Sequence, residues 1–205
     1  MSTDWRNGFL FVGNQLVLDF VNTRPMIDGK LTEMLPDGAA FVRWLGAAGL
    51  LGERGAARVA QKWSAPSFAA AIEDLRESRE NMRKVIFDLE AGEPPPAAFI
   101  KELNRLLIHH PAVDQVVNAG ANLERRRRFA PETPADALAP LADAMADLVT
   151  TADPSRIRKC PGCILHFYDT SKKGTRMWCS MRMCGNRAKV AAFAERQRAT
   201  PKEAE

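Results

Sequence analysis

Four cysteines near the C-terminus constrain this chain more than any other feature. They are its only cysteines and lie at Cys160, Cys163, Cys179 and Cys184, in the pattern C-x2-C-x15-C-x4-C. Pro161-Gly162 suits the tight turn that brings the two sulfurs of a C-x2-C pair to one side. Two pairs supply the four thiolates of a tetrahedral, structural zinc site. The spacing therefore predicts one structural Zn2+ ion bound by all four cysteines.

Two other interpretations of the cysteines stay open in the sequence. The cysteines could form disulfides, but Met1–Arg6 has an acidic residue, no positive cluster and no hydrophobic region, so no signal peptide is indicated. We therefore expect a cytoplasmic protein in a reducing compartment, where cysteines favour metal over disulfides. His166 lies three residues after Cys163 and is the one histidine placed to replace a cysteine ligand, although a surface or core role is expected for it.

The residues between the two cysteine pairs predict a zinc knuckle followed by a β-hairpin. Leu165–Tyr168 suits a strand, Ser171–Gly174 a turn and Arg176–Trp178 a returning strand. A module of this size has too little apolar surface to fold without its ion. Binding of the metal is therefore expected to be part of its folding.

A helix is predicted after the last cysteine. Good helix formers run from Arg187 to Arg198, with Ser180 or Asn186 as the N-cap. Four side chains recur at i, i+3, i+4 and i+7 and are expected to face inward: Val190, Phe193, Ala194 and Gln197. The complete module is thus a knuckle, a hairpin and a helix.

Positive charge is concentrated in this C-terminal part. Residues 154–205 hold 12 Lys and Arg against 4 Asp and Glu, a net charge of +8, whereas residues 1–153 carry −4. Such a charge asymmetry is typical of a protein that binds a polyanion. A solvated basic tail is the alternative. Arg125–Arg128 is the other basic run; we expect it to be solvated or paired with acids, with a second anion contact as the alternative.

Six cations of the module are candidates for contacts with nucleic acid. They are Lys172, Lys173, Arg176, Arg187, Lys189 and Arg196. Arg187 is the candidate for reading a base, because a planar guanidinium can pair with two acceptors of guanine. Lys189 and Arg196 lie two helical turns apart on one face and are candidates for phosphate contacts.

The same segment resembles a known family. Trp178–Met181, Cys184–Lys189 and the preceding Phe167–Ser171 resemble the CGNR zinc-finger family over roughly residues 157–198. Leu16–Thr23 and Trp44–Leu50 resemble parts of the ABATE domain, which precedes the finger in that family. The family is described as a proposed stress-induced transcription regulator. The resemblance therefore implies a DNA-binding regulator whose N-terminal domain senses a signal or dimerises.

The sequence predicts a mainly α fold (α+β) in two parts. Residues 1–153 would form a mostly helical domain with short β-hairpins, and residues 154–205 the zinc finger. Apolar residues at helical spacing mark a long helix from Ser64 to Ala91 and shorter helices that begin near Asp37, Glu53, Pro96 and Pro134. Asp37 is the expected N-cap of the first of these shorter helices. These helices have their own apolar faces, so we expect them to keep their structure when the finger loses its ion.

Short β elements and two polar residues complete the predictions for the N-terminal part. Gly13-Asn14 between apolar runs predicts a hairpin turn, and Val113–Val117 and Leu123–Phe129 predict two strands. Asp19 and Asn22 lie inside an apolar run, where caps or buried hydrogen-bonding groups are expected. A contact with a small-molecule effector is the alternative for these two residues.

The leading functional hypothesis is a zinc-dependent DNA-binding transcription regulator. A small-molecule effector and a second copy of the chain are its further expected partners.

We expect no enzyme, because the sequence has no phosphate-binding loop or nucleophile elbow, and a four-thiolate zinc leaves no open coordination position. No apolar run is long enough to cross a membrane. The alternatives are a zinc-stabilised protein-interaction module and an RNA-binding protein; an exposed apolar patch would favour a protein partner.

Overall fold

The computed structural model describes residues 4–27, 29–63, 65–109, 113–129 and 131–199. Its N-terminal part is mainly helical, which confirms the predicted fold class. The helices are α1 (Leu16–Val21), α2 (Gly38–Ala47), α3 (Glu53–Lys62), α4 (Ala65–Glu90), α5 (Ala97–His109) and α6 (Ala139–Thr150), the last preceded by a 3-10 turn at Pro134–Leu138. Ser64, the predicted first residue of the long helix, lies outside the described residues. Within the described ranges, no helix is long and apolar enough to cross a membrane.

The short helix α1 lies at the centre of the N-terminal core. It packs against α4 and α6, and Leu18 and Phe20 are fully buried. The ring of Phe20 lies 5.4 Å from that of Trp44, which also stacks on Phe41 at 6.1 Å. The predicted N-cap Asp37 is confirmed, since its carboxylate accepts a hydrogen bond of 2.8 Å from the Ala40 amide at the start of α2.

The N-terminal hairpin turns at a different place from the predicted one. Strands β1 (Trp5–Arg6) and β2 (Phe9–Leu10) pair antiparallel around Asn7-Gly8, whose φ values are +48° and +84°. Two positive φ angles in a two-residue loop match the strand twist, and Asn-Gly adopts them at little cost. The prediction of a hairpin turn at Gly13-Asn14 was wrong; these residues join β2 to α1 instead.

Two further hairpins project from the helical part. Strands β3 (Met26–Ile27) and β4 (Lys30–Leu31) form a short exposed pair in a segment without a sequence signal. Strands β5 (Val113–Ala119) and β6 (Asn122–Arg128) form a long antiparallel ribbon. This confirms the two predicted strands; the first is two residues longer than predicted, and the second begins and ends one residue earlier.

The strand pairing in the C-terminal module differs from the predicted one. Strand β8 (His166–Tyr168) pairs with β7 (Ile157–Lys159), which precedes the first cysteine, and not with Arg176–Trp178. The knuckle therefore forms the tip of the hairpin, so that both strands hold the first pair of cysteines. A π-helical turn (Met181–Gly185) and α7 (Asn186–Ala199) follow.

The predicted inner face of α7 is exposed. Val190 keeps 68% and Phe193 57% of its surface accessible, and α7 packs mainly against the π-helical turn. The apolar spacing was correct, but the described residues of the module form no second layer for these side chains to pack against. The prediction that Val190 and Phe193 face inward was therefore wrong.

The module and the helical part share two apolar clusters. Leu10 and Val12 of the N-terminal segment pack with the cysteines, Leu165 and Phe167 in the cluster around the metal site. Ile157 of β7 in turn belongs to the core of the helical part. The Tyr168 amide donates a hydrogen bond of 2.8 Å to the Gly13 carbonyl. The two parts are thus packed together through side chains and backbone.

Candidate metal centre and nucleic-acid interface

The four cysteine sulfurs converge at the tip of the β7–β8 hairpin. All four Sγ atoms lie within 4.8 Å of one another, with 3.6 Å between Cys163 and Cys179 and 3.7 Å between Cys179 and Cys184. A tetrahedral zinc site with Zn–S bonds of ~2.3 Å requires S–S separations of about 3.8 Å. A disulfide would need about 2.0 Å, and all four cysteines are free. The donor set therefore fits one structural Zn2+ ion.

The four sulfurs lie close enough to shift one another's pKa values. The hydrogen bond shared with Cys160 raises the pKa of Cys163 to about 12 and that of Cys179 still further, while the pKa of Cys160 is lowered by its hydrogen bond to Cys163. A thiolate at Cys160 thus favours the protonated forms of Cys163 and Cys179. Four adjacent thiolates need a compensating positive charge, which a bound divalent metal provides.

The knuckle has little free space around the sulfurs. Cys160, Cys179 and Cys184 are buried, and Cys163 is partly exposed. A Cβ atom on Gly162 would lie 3.1 Å from both the Cys184 Cβ and a ring atom of Trp178. A larger residue at this position would therefore require Trp178 or Cys184 to shift by a few tenths of an ångström. Trp178 packs against the metal site, as its position beside Cys179 indicates.

Arg187 is engaged with the metal site itself. Its Nη2 donates to the Gly162 carbonyl at 2.9 Å and lies 3.0 Å from the Cys184 Sγ. A guanidinium hydrogen bond to a ligating sulfur orients that ligand and offsets part of its negative charge. The side chain that the sequence suggested for reading a base thus holds the knuckle together.

Arg176 is also directed toward the protein. Its guanidinium donates to the carbonyls of Trp178 (2.9 Å), Val12 (3.2 Å) and Cys179, and lies 4.4 Å from the centre of the Phe167 ring. It therefore joins the loop before the second cysteine pair to the N-terminal segment. Among the candidate cations, Arg176 and Arg187 are the two with these structural contacts.

The remaining candidate cations are exposed at the surface. Lys172, Lys173 and Lys189 are exposed and, within the described residues, make no ion pair or side-chain hydrogen bond. Arg196 is exposed on α7 as well. Sequence reasoning did not include Arg182, an exposed cation of the π-helical turn, because that turn was not recognised. Exposed cations therefore occur in the loop, the turn and the helix of the module.

His166 lies apart from the metal site. Its Nε2 is 3.2 Å from a Glu90 carboxylate oxygen, and its ring meets the Phe87 ring edge-on at 4.7 Å. Burial lowers the pKa of His166, and Glu90 opposes this shift. The sulfur cluster consists of the four cysteines without this histidine. The buried position fits the core role that we expected for His166.

Asp19 and Asn22 are buried hydrogen-bonding groups. The Asp19 carboxylate accepts a bond of 2.7 Å from the Gly13 amide, and burial raises its pKa to about 6. Asn22 pairs with the backbone of His166. A cleft of about 320 Å3 lies between α4 and α5 and is lined by apolar residues such as Val85 and Phe99; Asp19 and Asn22 do not line it.

The basic run in β6 is only partly described. The side chains of Arg127 and Arg128 lie outside the described residues, whereas Arg125 pairs with Asp114 and Arg126 with Glu124. We expected this run to be solvated or paired with acids, and the two described arginines are paired. Both described arginines are exposed at the surface of the ribbon.

Comparison with known proteins identifies two family matches in chain order. Residues 14–152 match the ABATE family, described as "Putative stress-induced transcription regulator". Residues 156–197 match the CGNR zinc finger and include all four cysteines. No curated protein matches the chain. The two matches meet at the short segment that leads from α6 into β7.

Proposed function

Because the chain belongs to the ABATE family and carries a CGNR zinc finger, we propose that it is a zinc-dependent, DNA-binding transcription regulator that acts in the cytoplasm. The observation that carries this proposal is a set of exposed lysines on the finger that have no ion-pair partner among the described residues, Lys172, Lys173 and Lys189, within the part of the chain that holds a net charge of +8. Lysines of this kind bind phosphates by charge and release counterions from DNA.

The zinc site would serve this function as a scaffold. We assign the ligands as Cys160, Cys163, Cys179 and Cys184, whose sulfur separations suit a tetrahedral ion. A bound Zn2+ supplies charge compensation and a cross-link, with no open position for catalysis. The cross-link joins the β7–β8 hairpin to the π-helical turn from which α7 begins. The cations of the loop and the helix are thereby held in fixed positions.

The six candidate cations of the finger divide into two groups in this proposal. Lys172, Lys173, Lys189 and Arg196 contact the phosphate backbone, since all four are exposed. Arg176 and Arg187 position the site, because their guanidinium groups donate to the finger's own carbonyls and sulfur. Substituting a residue of the first group should weaken binding to all DNA sequences alike.

The helical part would supply regulation. The apolar cleft between α4 and α5 has a volume of about 320 Å3, within the range of small-molecule sites, and Asn81 and Lys84 offer polar groups at its edge. We propose this cleft as the position of a small-molecule effector. Asp19 and Asn22 are not part of it and keep their structural role.

One observation favours a second candidate function, a protein-interaction module. Four large apolar side chains of the finger are exposed: Met177, Met181, Val190 and Phe193. Exposed apolar patches mark protein interfaces more often than DNA-binding surfaces. In this case zinc would hold a scaffold for a protein partner, and the lysines would matter little.

A titration of duplex DNA by the zinc-loaded protein at several salt concentrations separates the two functions. For DNA binding, Lys189→Ala should weaken affinity and reduce the log–log salt slope by about 0.9 for each lost phosphate contact. The matched control is Lys101→Ala, which removes an exposed lysine of α5 in the helical part. Phe193→Ser should leave DNA binding unchanged. Failure of the wild type to bind any duplex at low salt would contradict the proposal.

A further inference from the structure

The β5–β6 ribbon is an arm without a supporting layer. Its two strands pair over seven positions, from Val113 opposite Arg128 to Ala119 opposite Asn122, and turn at Gly120, where φ is +68°. They form a sheet of two strands, so both outer edges lack a strand partner among the described residues. No other described element packs extensively along them. A ribbon of seven residues is about 23 Å long.

Isolated ribbons of this kind are marginally stable in water, and their open edges invite pairing. Two large apolar side chains are also left in solvent, Val116 with 66% and Leu123 with 72% of their surface accessible. The length and exposure of the ribbon therefore indicate a surface that a partner covers.

The charge of the ribbon identifies the kind of partner. Residues 113–128 contain four arginines against Asp114 and Glu124, a net charge of +2 in a part of the chain that carries −4 overall. The side chains of Arg125 and Arg126 are 77% and 60% exposed although each pairs with an acid. Exposed ion pairs contribute little to stability, so phosphate oxygens can replace these carboxylates.

One face of the ribbon combines basic and apolar groups. Val116 lies opposite Arg125 and Asn118 opposite Leu123, so that these four side chains occupy the same face. A two-stranded ribbon fits the DNA major groove, which is about 12 Å wide. In such a complex arginine contacts phosphate, and valine or leucine contacts sugars and thymine methyl groups.

We propose that the β5–β6 ribbon is a second DNA contact, an arm that lies in a groove of the duplex that the finger binds. This inference rests on the proposed function, which supplies DNA as the partner. It concerns a surface separate from that of the finger. A second copy of the chain is a less suitable occupant, because two ribbons that each carry +2 repel one another.

The test compares the salt dependence of duplex binding for the zinc-loaded wild type and the variant Arg125→Gln, which removes the described arginine of the proposed contact face. Loss of one phosphate contact should reduce the log–log slope by about 0.9. The matched control is Arg105→Gln, an exposed arginine of α5 that forms the same kind of ion pair with Glu102. The control should bind as the wild type does. An unchanged slope in Arg125→Gln, with the wild type still binding, overturns the ribbon contact alone.

A second measurement does not depend on the arginines. A photo-crosslinking amino acid in place of Ala121, at the exposed turn of the ribbon, should attach to labelled duplex DNA. Attachment to a second chain, together with dissociation of a dimer by Val116→Thr/Leu123→Thr, would overturn the proposal in favour of self-association. If the wild type binds no duplex and the turn crosslinks to none, the function and the ribbon contact both fail.

Discussion

The side chain of Asn22 pairs with both backbone groups of His166. Its Nδ2 donates to the His166 carbonyl at 2.8 Å, and its Oδ1 accepts from the His166 amide at 3.0 Å. Asn22 caps α1 and His166 begins β8, so this reciprocal pair joins the centre of the helical part to the hairpin that carries the knuckle. Both residues are buried, and water does not replace these bonds.

Replacing Asn22 with alanine should destabilise the whole protein. Asn22→Ala would leave a buried amide and a buried carbonyl of His166 without partners, at a cost of roughly 2–4 kcal/mol in the free energy of unfolding. Urea denaturation of the zinc-loaded protein measures the change. Asn22→Asp keeps the acceptor and loses the donor, so its effect shows how much the carbonyl contributes. A loss below about 0.5 kcal/mol in Asn22→Ala would contradict the role of this pair.

Removal of zinc should lower the stability of the helices as well as that of the finger. Leu10 and Val12 pack with the cysteines, and Ile157 packs in the helical core, so loss of the site disturbs both clusters. Zinc binding by finger peptides is worth about 10–16 kcal/mol, which is large beside the stability of a domain. This expectation replaces the independence that the sequence suggested.

Circular dichroism during heating checks the effect of zinc removal. A chelator should shift the midpoint of the helical signal downward, and added zinc should restore it. Cys184→Ser, which removes one predicted ligand, should behave like the chelated wild type. An unchanged helical midpoint after complete removal of zinc would show that the two parts are thermally independent.

Arg187 should influence zinc affinity more than DNA affinity. Its hydrogen bonds to the Cys184 sulfur and the Gly162 carbonyl orient the knuckle. Loss of such a contact typically lowers metal affinity by about 10–100-fold. Competition with a chromophoric chelator measures the affinity of Arg187→Ala, and Lys189→Ala from the same helix serves as the control. Equal zinc affinity in both variants would return Arg187 to the group of DNA-contact candidates.

A structural feature of this chain could be predicted when its sequence pattern lies within one short segment. The spacing of the cysteines is a local pattern with one chemical meaning, and their sulfurs do converge. Helix α2 was predicted from its cap, Asp37, and from apolar spacing within one segment. The partner of β8 was not predictable, because Ile157–Lys159 is too short to carry an alternating pattern. Pairing across the knuckle is decided by tertiary contacts.

Two other differences between the predicted and the observed structure have separate physical causes. The Asn7-Gly8 dipeptide is the stronger hairpin signal of the two. The apolar runs on both sides of Gly13 are longer, and the turn was therefore predicted at Gly13-Asn14. For α7, helical spacing correctly placed Val190 and Phe193 on one face. Spacing identifies a face but not what covers it, and the finger is too small to cover this one. The exposed stripe is therefore visible only in the structure.

Asp19 should make stability depend on pH in a way that asparagine does not. Burial raises the pKa of its carboxyl from 3.8 to about 6, although the Gly13 amide, Arg6 and Arg176 act in the opposite direction. The folded state therefore holds a proton that the unfolded state releases. The stability that this proton contributes is fully present below about pH 3.8 and is lost as the pH rises through about 6.

The variant Asp19→Asn isolates this effect. Asparagine keeps an oxygen for the Gly13 amide but cannot ionise, so the variant should gain stability relative to the wild type between about pH 4 and pH 7, by about 3 kcal/mol. Urea denaturation at several pH values measures the difference between the two proteins. Release of zinc at low pH affects both equally and cancels in that difference. A difference that is constant across this range would show that Asp19 has an ordinary pKa in the folded protein. A difference that grows as the pH falls would show a lowered pKa, because the hydrogen bonds of the carboxylate then outweigh its burial.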